Sequence, residues 1–307
     1  MDKVAFIFPG QGSQFVGMGQ EIAKNFSDDF SDEFSAIEQI LGSSFLDIMW
    51  QDPKKELAIT YNTQPALFIA SAFASKIIKK RGLKPDYVAG HSLGEYSALY
   101  FSNVIDFKQG LELVRKRGEL MNKAVPAGEG SMAAIIGLDV KKIEEICKAV
   151  GVDVANYNNE QQTVIAGKKE LIIKAMGQLK QAGAKRAMEL NVSGPFHSAL
   201  MDSMVVDFKK EIDKTLFQKA TIPIIANVNA REEIDPDIIK MNLLKQLFSS
   251  VQWLQTVSYL LDRGVKTFVE IGSGQVLIKL IKRIDSSVNL ISVNNVDDLE
   301  SMKSKLC

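Results

Sequence analysis

Short apolar runs alternate with amphipathic stretches along most of the chain, and this alternation predicts an α/β architecture. The runs that have the length and composition of buried strands are residues 4–8, 87–89, 267–271 and 290–293. The stretches with a helical repeat are residues 64–81, 95–101, 107–122 and 275–284.

The middle of the chain has a different order of elements. It reads as strand 132–137, helix 140–150, strands 152–155 and 163–166, helix 171–182 and strand 185–190. This βαββαβ order is the ferredoxin-like split unit. Glycines at 128 and 130 precede it and Gly194-Pro195 follows it, as hinges. We predict an α/β-hydrolase-like large domain, residues 1–127 and 194–307, with an inserted ferredoxin-like small domain, residues 128–193.

Composition excludes several classes of protein. Lysine plus arginine equals aspartate plus glutamate at 37 each, so no overall field favours nucleic acid or an anionic membrane. The first apolar run is too short for a signal peptide, and the stretch 65–78 is too short to span a bilayer. Cys147 and Cys307 fit no metal-binding spacing, and their positions argue against a disulfide framework. We expect a monomeric, cytoplasmic protein without a metal site.

Residues 90–94, Gly-His-Ser-Leu-Gly, have the Gly-x-Ser-x-Gly form and lie between a predicted strand and a predicted helix. The glycines permit a turn so tight that Ser92 projects from the sheet edge. The following helix places backbone N–H groups, including that of Leu93, near a developing oxyanion. A chance match in a glycine-containing turn is the alternative, but the strand–turn–helix setting favours Ser92 as a nucleophile.

A serine nucleophile needs a base, and the chain has two histidines. His91 adjoins Ser92, and adjacent side chains at the end of a strand diverge, so His197 is the better candidate. A solvated or core histidine in a loop is the alternative interpretation of His197. No acidic residue stands out as a third member of a triad, and a neutral carbonyl can orient the imidazole instead.

The glycine-rich loop after the first strand, Gly10-Gln11-Gly12, does not complete a dinucleotide-binding fingerprint, because Phe15 occupies the place of the third glycine. We interpret it as a strand-end loop whose backbone N–H groups face the nucleophile. A plain turn is the alternative.

Arg117 falls inside the apolar arc of the helix 107–122, where a guanidinium needs an anionic or multiply hydrogen-bonded partner. One hypothesis is a structural ion pair with a core acid, or a side chain that reaches out to solvent. The other is a site for an acyl group that carries a carboxylate. The helix itself does not decide between them.

Taken together, several ordered motifs resemble the malonyl-CoA:acyl carrier protein transacylase family and the acyltransferase domains of fatty-acid and polyketide synthases. The resemblance covers essentially the whole chain. Its motifs are residues 8–14 (Phe-Pro-Gly-Gln-Gly-Ser-Gln), 63–67 (Thr-Gln-Pro-Ala-Leu), 89–96 (Ala-Gly-His-Ser-Leu-Gly-Glu-Tyr), 117–118, 194–198 (Gly-Pro-Phe-His-Ser) and 251–253 (Val-Gln-Trp). Residues 272–274, Gly-Ser-Gly, depart from the family, which usually has proline in the middle.

The resemblance implies a ping-pong reaction without a cofactor, in which coenzyme A thioester is a substrate. Ser92 would attack malonyl-CoA with His197 as base, and the phosphopantetheine thiol of acyl carrier protein would then attack the malonyl-serine. Backbone N–H groups of Gln11 and Leu93 would form the oxyanion hole. The main-chain carbonyl of Gln246 would orient the histidine.

The resemblance also implies that Arg117 holds the malonyl carboxylate. The other residues that we assign to substrate binding are His91, Met121, Asn158 and Phe196. Phe196 resembles the pattern of synthase domains that select malonyl groups, and Asn158 matches a residue that lines the family's cleft. Fatty-acid synthesis is the expected pathway, with a polyketide or polyunsaturated-lipid pathway as the alternative. A serine hydrolase of the same fold and a non-catalytic synthase subunit are the competing functions.

Overall fold

In a computed structural model that describes residues 2–306, the chain forms two sheets with helices packed around them; Cys307 lies outside the described residues. The strands are β1 (Lys3–Phe8), β2 (Tyr87–Gly90), β3 (Gly130–Ile136), β4 (Asp153–Asn159), β5 (Gln162–Lys168), β6 (Arg186–Glu189), β7 (Ile224–Ile225), β8 (Glu232–Glu233), β9 (Val265–Ile271) and β10 (Asn289–Val293). The helices are α1 (Gln20–Asn25), α2 (Ser31–Leu41), α3 (Phe45–Trp50), α4 (Thr60–Lys80), α5 (Gly94–Phe101), α6 (Phe107–Lys123), α7 (Val140–Val150), α8 (Lys169–Gln181), α9 (Val205–Lys214), α10 (Pro236–Gln246), α11 (Trp253–Asp262), α12 (Val276–Ile284) and α13 (Val296–Leu306).

The large sheet has the strand order β10-β9-β1-β2-β7-β8, and its pairs are parallel except that of β7 with β8. Central strand β1 is apolar on both faces because helices cover both. Phe6 and Phe8 pack into the core on one side, and Ala5 and Ile7 pack into the core on the other. This alternation follows from the two-residue repeat of a strand.

The register of the large sheet brings three loops to one edge. Phe8 at the end of β1 lies opposite Gly90 at the end of β2, and Ile7 lies opposite Glu270 near the end of β9. Since all three strands are parallel, the loops that follow them begin side by side. The carboxyl edge of a parallel sheet is where α/β proteins place their ligands.

The small sheet is antiparallel, with the strand order β4-β5-β3-β6, and the order β3-α7-β4-β5-α8-β6 along the chain confirms the predicted βαββαβ unit. One face of this sheet packs on α7 and α8 through a core that includes Ile135, Ile165 and Ile172. The other face packs against the large part of the chain, since Met132, Val164 and Ala166 belong to the same core as Phe8. The domain boundaries at residues 128 and 193 remain a prediction.

The predicted strands 152–155 and 163–166 were too short. In the structure β4 continues to Asn159 and β5 begins at Gln162. Asparagine is a poor strand former, so the sequence did not predict the second half of β4. Pairing with β5 keeps Asn156 and Asn158 in the sheet despite two register shifts. Both asparagines are buried.

Helix α4 begins at Thr60, four residues before the predicted start at 64, and Pro65 lies inside it. Proline has no N–H to donate to the carbonyl four residues earlier, which here is that of Tyr61. Arg115 Nη1 on α6 donates to Tyr61 O at 3.0 Å. A distant side chain therefore replaces the missing helical hydrogen bond, and local sequence rules could not predict that. Within residues 2–306, no helix combines the length and apolar character needed to cross a bilayer.

Gly118 allows α6 to lie close to α4, because a methyl group on it would sit 2.7 Å from the Cα of Tyr61. We expect Gly118→Ala to lower the free energy of unfolding by about 2 kcal/mol, since backbone must move to admit the methyl. Urea denaturation measures this change. The matched control is Gly177→Ala in α8, where a methyl would meet nothing within 4 Å; it should raise stability by up to about 1 kcal/mol. Equal effects would contradict the close packing.

Candidate active site

Ser92 lies at the turn between β2 and α5 with a φ of 53°, in the left-handed region that non-glycine residues rarely occupy. The turn is tight because Gly94 lies against β1, where an added Cβ would be 2.0 Å from Phe8 O. Asn227 holds both sides of the turn: its Oδ1 accepts from Ser92 N at 2.7 Å, and its Nδ2 donates to Gly90 O at 2.6 Å. These bonds offset the strain of the turn.

His197 is joined to both Ser92 and a main-chain carbonyl. Its Nε2 lies 2.7 Å from Ser92 Oγ, and its Nδ1 lies 2.8 Å from Gln246 O. A carbonyl oxygen can only accept, so the proton of neutral His197 is on Nδ1 and the Nε2 lone pair faces the serine hydroxyl. This arrangement can remove a proton from Ser92 without a carboxylate as third member.

The imidazole of His197 is 4% exposed. Burial, assisted by the positive charge of Arg117, lowers the pKa of His197 to about 3. The imidazole is therefore neutral at ordinary pH, the form that accepts a proton. The loss of Arg117's free charge on pairing with an anion would raise this pKa and make the base stronger.

Arg117 is also buried, and its guanidinium faces Ser92. Nη1 donates to Gln64 Oε1 at 2.8 Å, while Nη2 donates to Ser92 Oγ at 3.1 Å and to Gln246 Oε1 at 3.0 Å. All three acceptors are neutral oxygens, and the side chain does not reach solvent. Burial lowers the pKa of Arg117, yet the group stays a cation. A buried cation with neutral partners is suited to an incoming carboxylate.

Glu95 lies behind this cluster and is 2% exposed. Its Oε2 accepts from Gln246 Nε2 at 2.7 Å and from Asn227 N at 3.1 Å. Gln246 Nε2 donates also to Ser92 O at 3.0 Å. With its NH₂ group held in this way, Gln246 must present Oε1 to Arg117.

The backbone amides of Gln11 and Leu93 make no hydrogen bond within residues 2–306, and both residues line the same cavity as Ser92. The loop that carries Gln11 is fixed from two sides. Gln11 Nε2 donates to Thr60 Oγ1 at 3.3 Å, and the buried Ser273 donates through Oγ to Ser13 O at 2.6 Å. Two free amides beside a serine hydroxyl can stabilise an oxyanion.

The cavity in front of Ser92 has a volume of about 410 Å³. Its residues come from both parts of the chain: Met121 lies on α6, Phe196 on the loop before α9, and Asn158 on β4. His91 also lines it, with its Nε2 2.9 Å from Asn158 Oδ1 and its ring 5.6 Å from that of Trp253. A cavity of this size can hold a small acyl group and part of the arm that delivers it.

The structure thus brings together every residue that we selected from the sequence. Nine of them line the cavity: Gln11, His91, Ser92, Leu93, Arg117, Met121, Asn158, Phe196 and His197. Gln246 lies directly behind His197. Gln64 and Glu95 belong to quoted motifs but received no role, and Asn227 belongs to none. Within the described part of the chain, no three histidine, cysteine or acidic side chains cluster as metal ligands.

Comparisons with known proteins find similar acyltransferases. A family model described as "Acyl transferase domain" matches residues 5–301. Over 305 residues the chain is 43% identical to the malonyl CoA-acyl carrier protein transacylase of Staphylococcus aureus (strain MRSA252), with 98% of both chains covered.

Two solved structures are similar over nearly the full length. The acyl carrier protein S-malonyltransferase of Vibrio cholerae O1 biovar eltor has a TM-score of 0.94 at 41% identity, covering 98% of this chain and 99% of that chain. A malonyl-transacylase solved in complex with a type II PKS acyl-carrier protein has a TM-score of 0.93 at 40% identity, covering 97% and 98%.

The burial of His197 makes a prediction about its titration. We expect its imidazole to stay neutral in the folded protein from about pH 8 to about pH 5, because its pKa is lowered to about 3. In the unfolded chain it protonates near 6.5. The unfolded state then binds the extra proton, so the contribution of His197 to the free energy of unfolding falls as pH drops below 6.5, by up to about 1.4 kcal/mol per pH unit.

Nuclear magnetic resonance of ¹⁵N-histidine-labelled protein measures this titration directly. The chain has two histidines, so the variant His91→Asn leaves a single imidazole and assigns the signal. Titration of His197 near its ordinary pKa in the folded protein would contradict the buried, neutral state.

Proposed function

The chain belongs to the acyl transferase domain family, which includes malonyl CoA-acyl carrier protein transacylases, and from this we propose that it transfers malonyl groups from malonyl-CoA to the phosphopantetheine thiol of acyl carrier protein. The observation that carries the proposal is the position of the Arg117 guanidinium, 3.1 Å from the hydroxyl of Ser92. A carboxylate-binding group beside a nucleophile selects an acyl group that ends in a carboxylate.

In the first half-reaction, Ser92 Oγ attacks the thioester carbonyl carbon of malonyl-CoA while its proton passes to His197 Nε2. The carbonyl oxygen becomes an oxyanion that accepts from the amides of Gln11 and Leu93. The intermediate collapses, the carbon–sulfur bond breaks, and the coenzyme A thiolate takes the proton from His197. The products are malonyl-serine and free coenzyme A.

The second half-reaction runs the same steps with acyl carrier protein. Its pantetheine thiol gives a proton to His197 and attacks the malonyl ester, with the oxyanion again at the two amides. The ester bond breaks and Ser92 Oγ takes the proton back. Neither half changes an oxidation state, so the proposed chemistry uses the chain's own groups and no cofactor.

Gln246 positions both the base and the guanidinium of the site. Its main-chain oxygen holds Nδ1–H of His197, and its side-chain oxygen holds Nη2 of Arg117. A shift of this one residue would move both the base and the carboxylate-binding group. We therefore assign Gln246 a positioning role, with His91, Met121, Asn158 and Phe196 as the walls of the acyl site.

The setting of the reaction is part of the proposal. We propose fatty-acid synthesis as the pathway, in which malonyl-acyl carrier protein supplies the extender unit. One similar transacylase was solved with a type II PKS acyl-carrier protein. A cytoplasmic location fits the free, buried thiol of Cys147. That the protein acts as a monomer stays a prediction.

The first test is the covalent intermediate. Brief exposure to malonyl-CoA should add one malonyl group to the protein, seen by intact-protein mass spectrometry, and acyl carrier protein should remove it. Ser92→Ala should form no adduct, because it lacks the attacking oxygen. Free malonate without carrier protein would indicate a hydrolase instead. An unmodified protein and no turnover would favour a non-catalytic subunit.

The second test concerns acyl selection. We expect Arg117→Ala to lower kcat/KM for malonyl-CoA on the order of 100-fold or more, because the malonyl carboxylate loses its charged partner. Transfer of acetyl groups, which have no carboxylate, should be retained or increased. Lys108→Ala, an exposed cation on the same helix, is the control and should change neither. An equal loss of both activities would make Arg117 a structural residue.

A further inference from the structure

Glu95 is a buried carboxylate that the transfer chemistry does not use. It lies in the first turn of α5, three residues after Ser92, and is 2% exposed. A buried acid usually has a direct cationic partner. Its hydrogen bonds instead come from two neutral donors, Gln246 Nε2 and Asn227 N. Its negative charge therefore acts on the site electrostatically and not through a direct ion pair.

The charge that faces Glu95 is that of Arg117. The two side chains lie on opposite sides of the Gln246 amide, which donates to Glu95 Oε2 at 2.7 Å and accepts from Arg117 Nη2 at 3.0 Å. The Arg117 charge acts on the pKa of Glu95, and the Glu95 charge acts on that of Arg117. In the free enzyme Glu95 is thus the counter-charge of a guanidinium whose direct partners are neutral.

The other titratable groups around this pair stay neutral. Tyr96, beside Glu95 on α5, has its ring 5.5 Å from the guanidinium carbon of Arg117, and burial raises the pKa of its phenol well above the ordinary value. His197, on the segment before α9, has its pKa lowered by burial and by Arg117. The charge balance of the site therefore depends on Arg117 and Glu95.

We propose that Glu95 is a proton-linked counter-charge, which is ionised in the free enzyme and takes up a proton from solvent when the malonyl carboxylate binds to Arg117. The inference rests on the proposed function, because it needs malonyl-serine with its carboxylate at Arg117. Glu95 is a positioning residue in this scheme, since it acts on the substrate through Gln246 and Arg117.

The physical reason is the cost of two buried carboxylates beside one buried cation. The net pKa of Glu95 is raised to about 7. Burial raises it, and the hydrogen bonds from Gln246 and Asn227 and the charge of Arg117 lower it. When the malonyl carboxylate binds to Arg117, its negative charge offsets the effect of the guanidinium on Glu95. The loss of this net positive field favours protonated Glu95.

The proton balance makes the inference measurable. Acylation itself converts a serine hydroxyl and a thioester into an ester and a thiol, so it neither takes up nor releases a proton. Any uptake from solvent must then come from a group whose ionisation changes. Release of the malonyl group to acyl carrier protein restores the free site, and Glu95 gives the proton back.

The experiment follows the proton uptake of the wild-type protein mixed with malonyl-CoA in weak buffer with a pH indicator, while mass spectrometry counts adducts. At about pH 7.5 we expect about half a proton or more per malonyl adduct. Acetyl-CoA should give no proton uptake per acetyl adduct. The acetyl measurement also corrects for ionisation of the released coenzyme A thiol. At about pH 5.5 the uptake should approach zero, because Glu95 is already protonated in the free enzyme.

Two variants assign the proton. Glu95→Gln keeps an acceptor oxygen for Gln246 and Asn227 and should lose the uptake per adduct. Glu270→Gln is the matched control: burial also raises the pKa of Glu270 to about 7, but its carboxylate accepts from the amides of Leu277 and Ile278 at the start of α12. It should keep the uptake.

The outcomes separate this inference from the proposed function. A malonyl adduct without extra proton uptake in the wild type would overturn the inference and leave the transferase function intact. Uptake that persists in Glu95→Gln would assign the proton to another group and would also overturn it. Absence of any malonyl adduct would overturn both. The wild-type comparison of malonyl with acetyl decides the matter even if Glu95→Gln does not fold.

Discussion

The parallel pairing of β1 with β2 is the constraint on which the site depends. It ends both strands at one level, with Phe8 opposite Gly90, so that the next residues of each chain segment must turn in the same narrow space. The 90–94 turn passes so close to β1 that Gly94 has no room for a side chain. Ser92 is pushed into a left-handed conformation, and the free amides of Gln11 and Leu93 come to the same cavity. Strain, nucleophile and oxyanion donors therefore arise from one feature of the sheet.

Gln246 at the end of α10 connects this edge to the rest of the site. A single residue orients the base through its main chain and the guanidinium through its side chain, while its NH₂ group is held by Ser92 O and Glu95. Its three roles use different atoms, and the amide dipole can point in one direction only. An acyltransferase that selects a carboxylated group needs its base and its anion site at a fixed separation, and sharing one residue meets that need.

The parts of the fold and site that sequence predicts are those with local causes. The Gly-x-Ser-x-Gly turn, each of the six elements of the βαββαβ unit and the odd position of Arg117 can all be recognised from local sequence. In the structure Arg117 makes no direct ion pair with a core acid and does not reach solvent, and its carboxylate-binding role stays a proposal. Asn227 was not predictable, because it acts on a turn more than a hundred residues away. The hydrogen bond from Arg115 to Tyr61 O in the first turn of α4 was not predictable for the same reason.

The use of a carbonyl instead of a carboxylate to orient His197 follows from the charge of the site. A carboxylate as the third member of the triad would place a fixed negative charge close to the position where the malonyl carboxylate must bind. Like charges in a buried site repel strongly. Gln246 O orients the ring without that charge. The site then contains one cation that faces the substrate, Arg117, and one acid, Glu95, which is separated from it by the Gln246 amide. Because this acid has a pKa near neutrality, it can lose its charge when the substrate supplies another. A carboxylate on the histidine, with the low pKa of an ion pair, could not do so.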